Sequence, residues 1–259
     1  LFRLAGSDYT TAVYVDGIVY AIYEYCNPEF ESNRHRMALY AIDLATKSET
    51  LVADWGVNGT VAKVYSGIAY DPSSGLLVIA KPDGTILTAD PMVGALTEVG
   101  KLSNRVNGLT FDTDGTGYAL HCLGNAASLI RFTLNETGIE IQEEIALPDK
   151  ISGFGTYAWA SLLKLDDLIY IETYSQSYMS AGYPQRGQLY TYDLSSGVLK
   201  ELGACRPLAC LFRIDREPTT GITLSDDQLM MLLNQQKQLT ATAFPWTATN
   251  RALTWTSSD

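Results

Sequence analysis

Leu39-Tyr40-Ala41-Ile42-Asp43-Leu44 and Leu189-Tyr190-Thr191-Tyr192-Asp193-Leu194 are two copies of one phrase: an apolar and aromatic run closed by Asp-Leu and followed by a Thr/Lys/Ser or Ser-Ser-Gly turn. Both lead into an outward-reading strand, Glu49-Thr50-Leu51-Val52 in the first copy and Val198 to Gly203 in the second. A third copy reads Ile86-Leu87-Thr88-Ala89-Asp90-Pro91, then Gly94 and Leu96 to Gly100. A fourth reads Leu129-Ile130-Arg131-Phe132-Thr133-Leu134, then Gly138 and Ile139 to Ile145. Recurrence of one turn grammar along a chain is the mark of units that cannot bury their apolar faces alone and must stack.

Upstream of each copy lies an apolar strand, an Asp-led turn and a second apolar strand. The four turns are Asp16-Gly17, Asp71-Pro72-Ser73-Ser74-Gly75, Asp112-Thr113-Asp114-Gly115 and Asp166-Asp167. Asp and Gly tolerate the positive φ that tight hairpins demand, so these read as β-hairpins. Their aspartates are 55, 41 and 54 residues apart, the spacing of four-stranded propeller blades with loop insertions. No segment carries a sustained helical period with caps, so helix should be negligible. The expected fold is all-β: one β-propeller domain over residues 1–259, five four-stranded blades, with six as the alternative count and a pair of β-sandwiches as the alternative fold. The fifth unit should begin after Cys210, with Asp215 or Asp226-Asp227 at its turn and Leu229 to Leu233 as a buried strand. Leu1 to Leu4 could close the ring beside Arg251 to Trp255.

Hydrophobic residues make up 46% of the chain and charged residues 18%, which suits a large core and not a disordered chain. The 18 Lys and Arg against 29 Asp and Glu give a net charge of −11 with no basic run, which argues against nucleic acid as a partner. No apolar stretch reaches the length of a membrane span, and the chain opens on Leu1-Phe2-Arg3-Leu4. A soluble, trimmed or mature chain without membrane insertion is therefore expected, and a monomer. Cys26, Cys122, Cys205 and Cys210 are too sparse for a disulfide scaffold or a zinc knuckle; only Cys205 and Cys210 are close enough for a local bridge.

Chemical motifs are scarce. With only His35 and His121, a three-histidine metal site is impossible, and no nucleophile elbow, Walker loop or dinucleotide fingerprint is present. His121 lies in an apolar strand and reads as a hydrogen-bonded structural residue. Asp16, Asp43, Asp71, Asp90, Asp112, Asp166 and Asp193 all have turn-forming reasons to exist, which leaves little support for a carboxylate pair of the glycosidase kind. Asp112 to Gly117 lacks the acidic twelfth position of a calcium loop, since Leu123 stands there. No metal and no cofactor is expected. Asn58-Gly59-Thr60 and Asn135-Glu136-Thr137 are glycosylation sequons by pattern.

The Tyr-x-x-Asp-Leu strand ending, followed by its Ser/Thr/Gly turn, resembles the secreted and cell-surface β-propellers with degenerate YVTN-like repeats, over residues 10–203. The resemblance implies an architecture. It also implies that the loop between second and third strands shares a face with the crossover between blades, where such propellers hold ligands, and it carries over no functional residue.

On that face unit 2 needs only Lys81 to Gly84, whereas unit 1 inserts Glu24 to Arg36 and unit 4 Thr173 to Gln188. The second insertion mixes Tyr, Ser, Gly and Arg, as recognition loops do. Tyr25, Arg34 and Arg36 from the first loop, Tyr174, Tyr178, Tyr183 and Arg186 from the second, and Tyr157 and Trp159 from the crossover are the candidate ligand-binding residues. The leading expectation is a non-enzymatic extracellular, cell-surface or periplasmic binding module for a glycan or protein. The alternatives are a carbohydrate-active lyase or hydrolase working at the channel mouth, and a structural spacer domain.

Overall fold

A computed structural model describes residues 9–26, 35–58, 65–103, 105–123, 126–148, 151, 158–175, 187–205, 211, 220–225, 236–244 and 254–256; for a few strand ends only the backbone is described. Four antiparallel sheets follow one another along the chain, each with its strands in sequence order. The first holds β1 (Tyr9–Val15), β2 (Ile18–Cys26), β3 (His35–Asp43) and β4 (Ser48–Asn58). The second holds β5 (Gly67–Asp71), β6 (Leu76–Ala80), β7 (Thr85–Ala89) and β8 (Leu96–Lys101). The third is β9 (Gly108–Phe111), β10 (Gly117–Leu123), β11 (Ala126–Asn135) and β12 (Gly138–Ala146). The fourth is β13 (Ala158–Leu165), β14 (Leu168–Ser175), β15 (Gly187–Asp193) and β16 (Leu199–Cys205). These are β-propeller blades: β1 packs beside β5, β5 beside β9 and β9 beside β13. No described residue is in an α-helix, so among the described residues there is no helix long and apolar enough to cross a membrane.

The turns form for the reasons written in the sequence. Asp16 and Gly17 take φ of 46° and 92°, and Asp166 takes 50°, so each closes a two-residue hairpin between Val15↔Ile18 and Leu165↔Leu168. Asp71 closes a longer turn by accepting from the Ser73 N–H at 2.9 Å, the Ser73 hydroxyl at 2.7 Å and the Ser74 hydroxyl at 2.7 Å. Asp193 plays the same part for Ser195 and Ser196, and Asp90 for Met92 and Val93.

Alternation then divides the core. Leu77 and Ile79 of β6 face blade 1, joining Tyr20, Ile22, Met37 and Leu39. Val78 and Ala80 face blade 3, joining Leu109, Ala119, Ile130 and Phe132. Blades 3 and 4 share a third cluster built on Leu120, Leu129, Ile169 and Ile171. A blade sandwiched between neighbours is apolar on both faces, which explains Leu76 to Ala80.

One feature recurs in all four blades. At the same step of the third strand, the fourth strand carries one extra residue: Val52 between the Leu39↔Ala53 and Tyr40↔Leu51 pairs, Val99 in blade 2, Gln142 in blade 3 and Leu202 in blade 4. The next residue in blades 2 and 4 is a glycine at positive φ, Gly100 (153°) and Gly203 (125°), the mark of a β-bulge that needs a residue without Cβ.

The blade count differs from expectation: among the described residues the propeller has four four-stranded blades, not five or six. The chain divides into two compact units, 1–43 with 48–212 and 44–47 with 213–259, and the blades belong to the first. The second holds a single described pair, β17 (Gly221–Leu224) and β18 (Ala241–Phe244), continued by a Ser225 N–H to Thr240 O bond of 2.8 Å. All of β17 is exposed, Ile222 at 56% and Leu224 at 47%, so this pair lacks the two-sided burial of a blade strand. Leu1 to Leu4, the turns at Asp215 and Asp226-Asp227 and the Leu229 to Leu233 run lie outside the described residues.

Candidate ligand-recognition face

In an antiparallel four-stranded blade the connection from second to third strand and the crossover to the next blade emerge at one end, and the first hairpin at the other. At the first of these ends blades 2 and 3 are closed tightly: Gly84 N–H donates to Lys81 O at 3.0 Å and Lys81 N–H to Thr85 O at 2.8 Å, and Leu123 pairs directly with Ala126. Blades 1 and 4 are not. Their ladders end at Cys26↔His35 and Tyr174↔Gly187, with long connections between. The two long connections therefore root at equivalent ends of the first and last blades.

Among the sequence candidates, Tyr25 pairs with Arg36 across β2 and β3, and Trp159 with Tyr174 across β13 and β14, so two cross-strand neighbours are brought together at these roots. The described part of those four residues is their backbone. Arg34, Tyr157, Tyr178, Tyr183 and Arg186 lie outside the described residues.

At the same end the inner strands almost touch. A Cβ on Gly67 would stand 3.2 Å from Gly108 Cα, and one on Gly108 would collide with the Ala160 carbonyl and come within 2.7 Å of Leu162 Cδ1. The Ala160 N–H donates to Asn107 O at 3.1 Å across the same joint. From blade 2 through blade 3 to blade 4 the neighbouring inner strands are thus packed backbone against backbone.

Two buried carboxyl groups lie on the strands that lead into the long connections, Glu24 at 9% exposure on β2 and Glu172 at 0% on β14. Sequence reasoning missed both, having sought acids in turns. The missed signal for Glu172 is Gly187, whose Cβ would overlap Glu172 Oε1 and sit 2.9 Å from Cys205 Sγ. The Cys205 thiol lies 4.0 Å from the same carboxylate oxygen. Burial, and then the Glu172 charge, push that thiol up from its ordinary value. Cys205 is a free thiol and Cys210 lies outside the described residues.

His121 of β10 meets Glu144 of β12. Its Nδ1 is 3.6 Å from Glu144 Oε1, and the Ser128 hydroxyl donates to that oxygen at 2.6 Å. The Ser128 bond first, and His121 after it, hold the Glu144 carboxyl below the usual range against a smaller burial effect. Ser128 donates to the carboxylate and not to the imidazole, so the three do not form a nucleophilic relay. Cys122, on the other face of β10, is pushed up to about 12 by burial and is an inert thiol.

At the opposite end Lys164 Nζ, 5% exposed, pairs with Asp112 Oδ2 at 2.9 Å, joining blade 4 to blade 3, and also donates to Asp166 O. Burial raises the Asp112 carboxyl, but Lys164 and the Thr113 N–H and hydroxyl outweigh it and hold it below its ordinary value. Among the described residues no group of three or more His, Cys, Asp or Glu side chains is placed to hold a metal ion.

No protein-family model matches the chain. A 71-residue stretch is 38% identical to an uncharacterized protein of Clostridium acetobutylicum, covering 27% of this chain and only 7% of that protein's length. Among solved structures the chain is similar to one from a nidogen/laminin complex (13% identity, TM-score 0.44, 77% of this chain and 80% of that one). It is also similar to a protein of unknown function from Bacteroides thetaiotaomicron (13%, 0.47, 73% and 46%). A third likeness is to the β-propeller domain of the trilobed protease of Pyrococcus furiosus (10%, 0.40, 75% and 56%). At these values the likenesses say nothing of a ligand.

Proposed function

We propose that residues 1–259 act as one non-enzymatic binding module, extracellular, periplasmic or at a cell surface, that recognises a glycan or a protein on the loop-bearing face. The observation that carries this reading is the asymmetry of the second-to-third connections: tight in blades 2 and 3, long in blades 1 and 4, rooted at equivalent ends. Long connections on a rigid scaffold are where binding residues concentrate. The contacts come from Tyr25, Arg34, Arg36, Tyr157, Trp159, Tyr174, Tyr178, Tyr183 and Arg186, aromatic and Arg anchors of the kind that dominate interfaces.

The test is a glycan array and a protein-partner screen with the purified chain, repeated after Tyr174 to Gln185 is replaced by a short Gly/Ser turn. Unchanged melting with loss of binding is expected, and an anchor truncated to Ala should weaken binding about 5–30-fold, equivalent to about 1–2 kcal/mol. Full retention of affinity after loop replacement refutes this face as the site. Cleaved or eliminated products from an array glycan would select the carbohydrate-active enzyme, and silence in both screens the spacer.

A further inference from the structure

The residue that closes the third strand is the same in three blades and different in the fourth. Three residues on from the bulge step it is Asp43 after Tyr40, Asp90 after Leu87 and Asp193 after Tyr190, but Asn135 after Phe132. Asp193 Oδ1 accepts the Ser195 N–H at 2.8 Å and the Ser195 hydroxyl at 2.7 Å. Asn135 Oδ1 makes the same two bonds with Thr137, accepting its N–H at 2.9 Å and its hydroxyl at 2.7 Å. Closing the turn thus needs only an oxygen, which a carboxylate supplies in blade 4. What Asn135 adds is an amide nitrogen.

The Thr137 N–H can only donate, so the atom it meets is the amide oxygen, and Nδ2 lies on the other side. There Nδ2 stands 3.4 Å from Glu140 Oε2 of β12, a long and exposed contact of little weight for stability. Asn135, Glu136 and Thr137 are all exposed, in the turn between β11 and β12 that the Asn135↔Gly138 pair closes. They are also an Asn-x-Thr sequon, and the hydroxyl such a sequon requires is already bonded to the side chain it must act on. In the other sequon, Gly59 and Thr60 lie outside the described residues.

We propose that Asn135 is an N-glycosylation site, which takes its glycan from a lipid-pyrophosphate-linked oligosaccharide on an oligosaccharyltransferase. Nδ2 bonds to the anomeric carbon of the donor sugar, and the bond from that carbon to the pyrophosphate oxygen breaks. The electron pair leaves with the lipid pyrophosphate, and one Nδ2 proton passes to a base of the transferase. The two bonds onto Oδ1 draw electron density toward the oxygen and make that proton easier to lose. Third-to-fourth turns emerge at the end opposite the long connections, so the glycan stands clear of the face proposed for recognition. From the proposed function the site needs only the placement of the chain outside the cytoplasm.

The test secretes the chain, behind a cleavable signal, from a host that carries the transferase. The peptide holding Asn135 is mapped by mass spectrometry before and after enzymatic release of glycan, which converts a modified Asn to Asp. Glycan is expected at Asn135 in most molecules of the wild type and of Thr137→Ser, with loss of it in Thr137→Ala and Asn135→Asp. Made without glycan, Asn135→Asp should melt within about 3 °C of the wild type, because Asp closes the equivalent turns. An unmodified Asn135 in the secreted protein overturns the proposal, and so does glycan on Thr137→Ala. A larger fall in melting temperature for Asn135→Asp shows that the turn itself needs the amide, and overturns the reason for assigning it to a glycan. Because the host supplies export, an unmodified Asn135 counts against this site alone, and a failed ligand screen against the recognition face alone.

Discussion

Replacing Asp112 by Asn tests how blades 3 and 4 are held together. The Lys164 side chain is 5% exposed and the Asp112 side chain 32%, with Nζ and Oδ2 at 2.9 Å. At an effective dielectric near 20 the gross attraction at that distance is about 6 kcal/mol, most of it offset by the desolvation of the two ions. What Asp112→Asn changes is the balance: the amide can still accept from the Thr113 N–H, now at 2.7 Å, but the buried ammonium is left facing a neutral group. Removing one partner of a fully buried pair costs about 3–5 kcal/mol, and the partial exposure of Asp112 reduces this to about 2 kcal/mol. In a chain of this length that is a fall in Tm of about 4–8 °C, read by calorimetry at pH 7. Lys164→Met should recover part of the loss when combined with Asp112→Asn, with a coupling of about 1 kcal/mol, because no buried charge then remains. The pH dependence has a definite sign. Asp112 is held below its ordinary value of 3.8 in the folded chain, so its contribution is complete above that value and is lost as pH falls through the lower, folded one. The gap between wild type and Asp112→Asn should therefore be constant from pH 7 to 5 and close below about pH 4. A gap that persists unchanged to pH 2, or a double variant as unstable as the sum of the single ones, would refute the argument.

Gly108→Ala forces a methyl group against the Ala160 carbonyl and Leu162, and should cost about 2–3 kcal/mol by denaturant titration, whereas Gly17→Ala meets no atom and pays only for its positive φ; equal costs at the two sites would deny that the inner edge is close-packed. Cys122, buried and pushed up to about 12, should resist iodoacetamide at pH 8 in the native protein and react on unfolding, while half-exposed Cys205 reacts slowly in the native state; native modification of Cys122 detected by mass spectrometry would contradict its placement.

The blades were legible because their information is local. Asp16-Gly17 and Asp71 to Gly75 spell out turns whose bonds lie within a few residues, and alternation such as Leu77/Val78/Ile79/Ala80 assigns faces once the strands are known. Asp112 and Asp193 were correctly taken as turn formers for the same reason. What escaped is what depends on partners far along the chain. Nothing next to Glu172 announces it; its explanation is Gly187, and the two meet only after β14 and β15 pair. Lys164 likewise owes its place to Asp112, which comes from another blade and from far along the chain. The blade count failed where the grammar thins: Leu229 to Leu233 is the most apolar run after residue 205, but the strand described nearby is the wholly exposed Gly221–Leu224. An apolar run by itself fixes neither register nor partner. The nine recognition residues were chosen by type and loop position; Tyr25, Arg36, Trp159 and Tyr174 stand in strand ladders and not in the loops expected for them, because the strands run further than the turn signals suggested, and the other five lie outside the described residues.

The extra residues in the fourth strands, Val52, Val99, Gln142 and Leu202, bear on how this chain behaves in a crowd of its own copies. The fourth strand is the rim of each blade, and a straight rim offers a row of unused backbone donors and acceptors to any other strand that drifts alongside. A bulge breaks that row: it bends the strand and sharpens its twist, so an incoming strand could bond on one side of the kink and not on both. β12 adds exposed Glu140, Glu143 and Glu144 to the same rim, and two copies laid edge to edge there would set carboxylates against carboxylates. The feature that shapes each blade thus also spoils its rim as a template, which lets four rims stand open to solvent without seeding a continuous sheet from one molecule to the next.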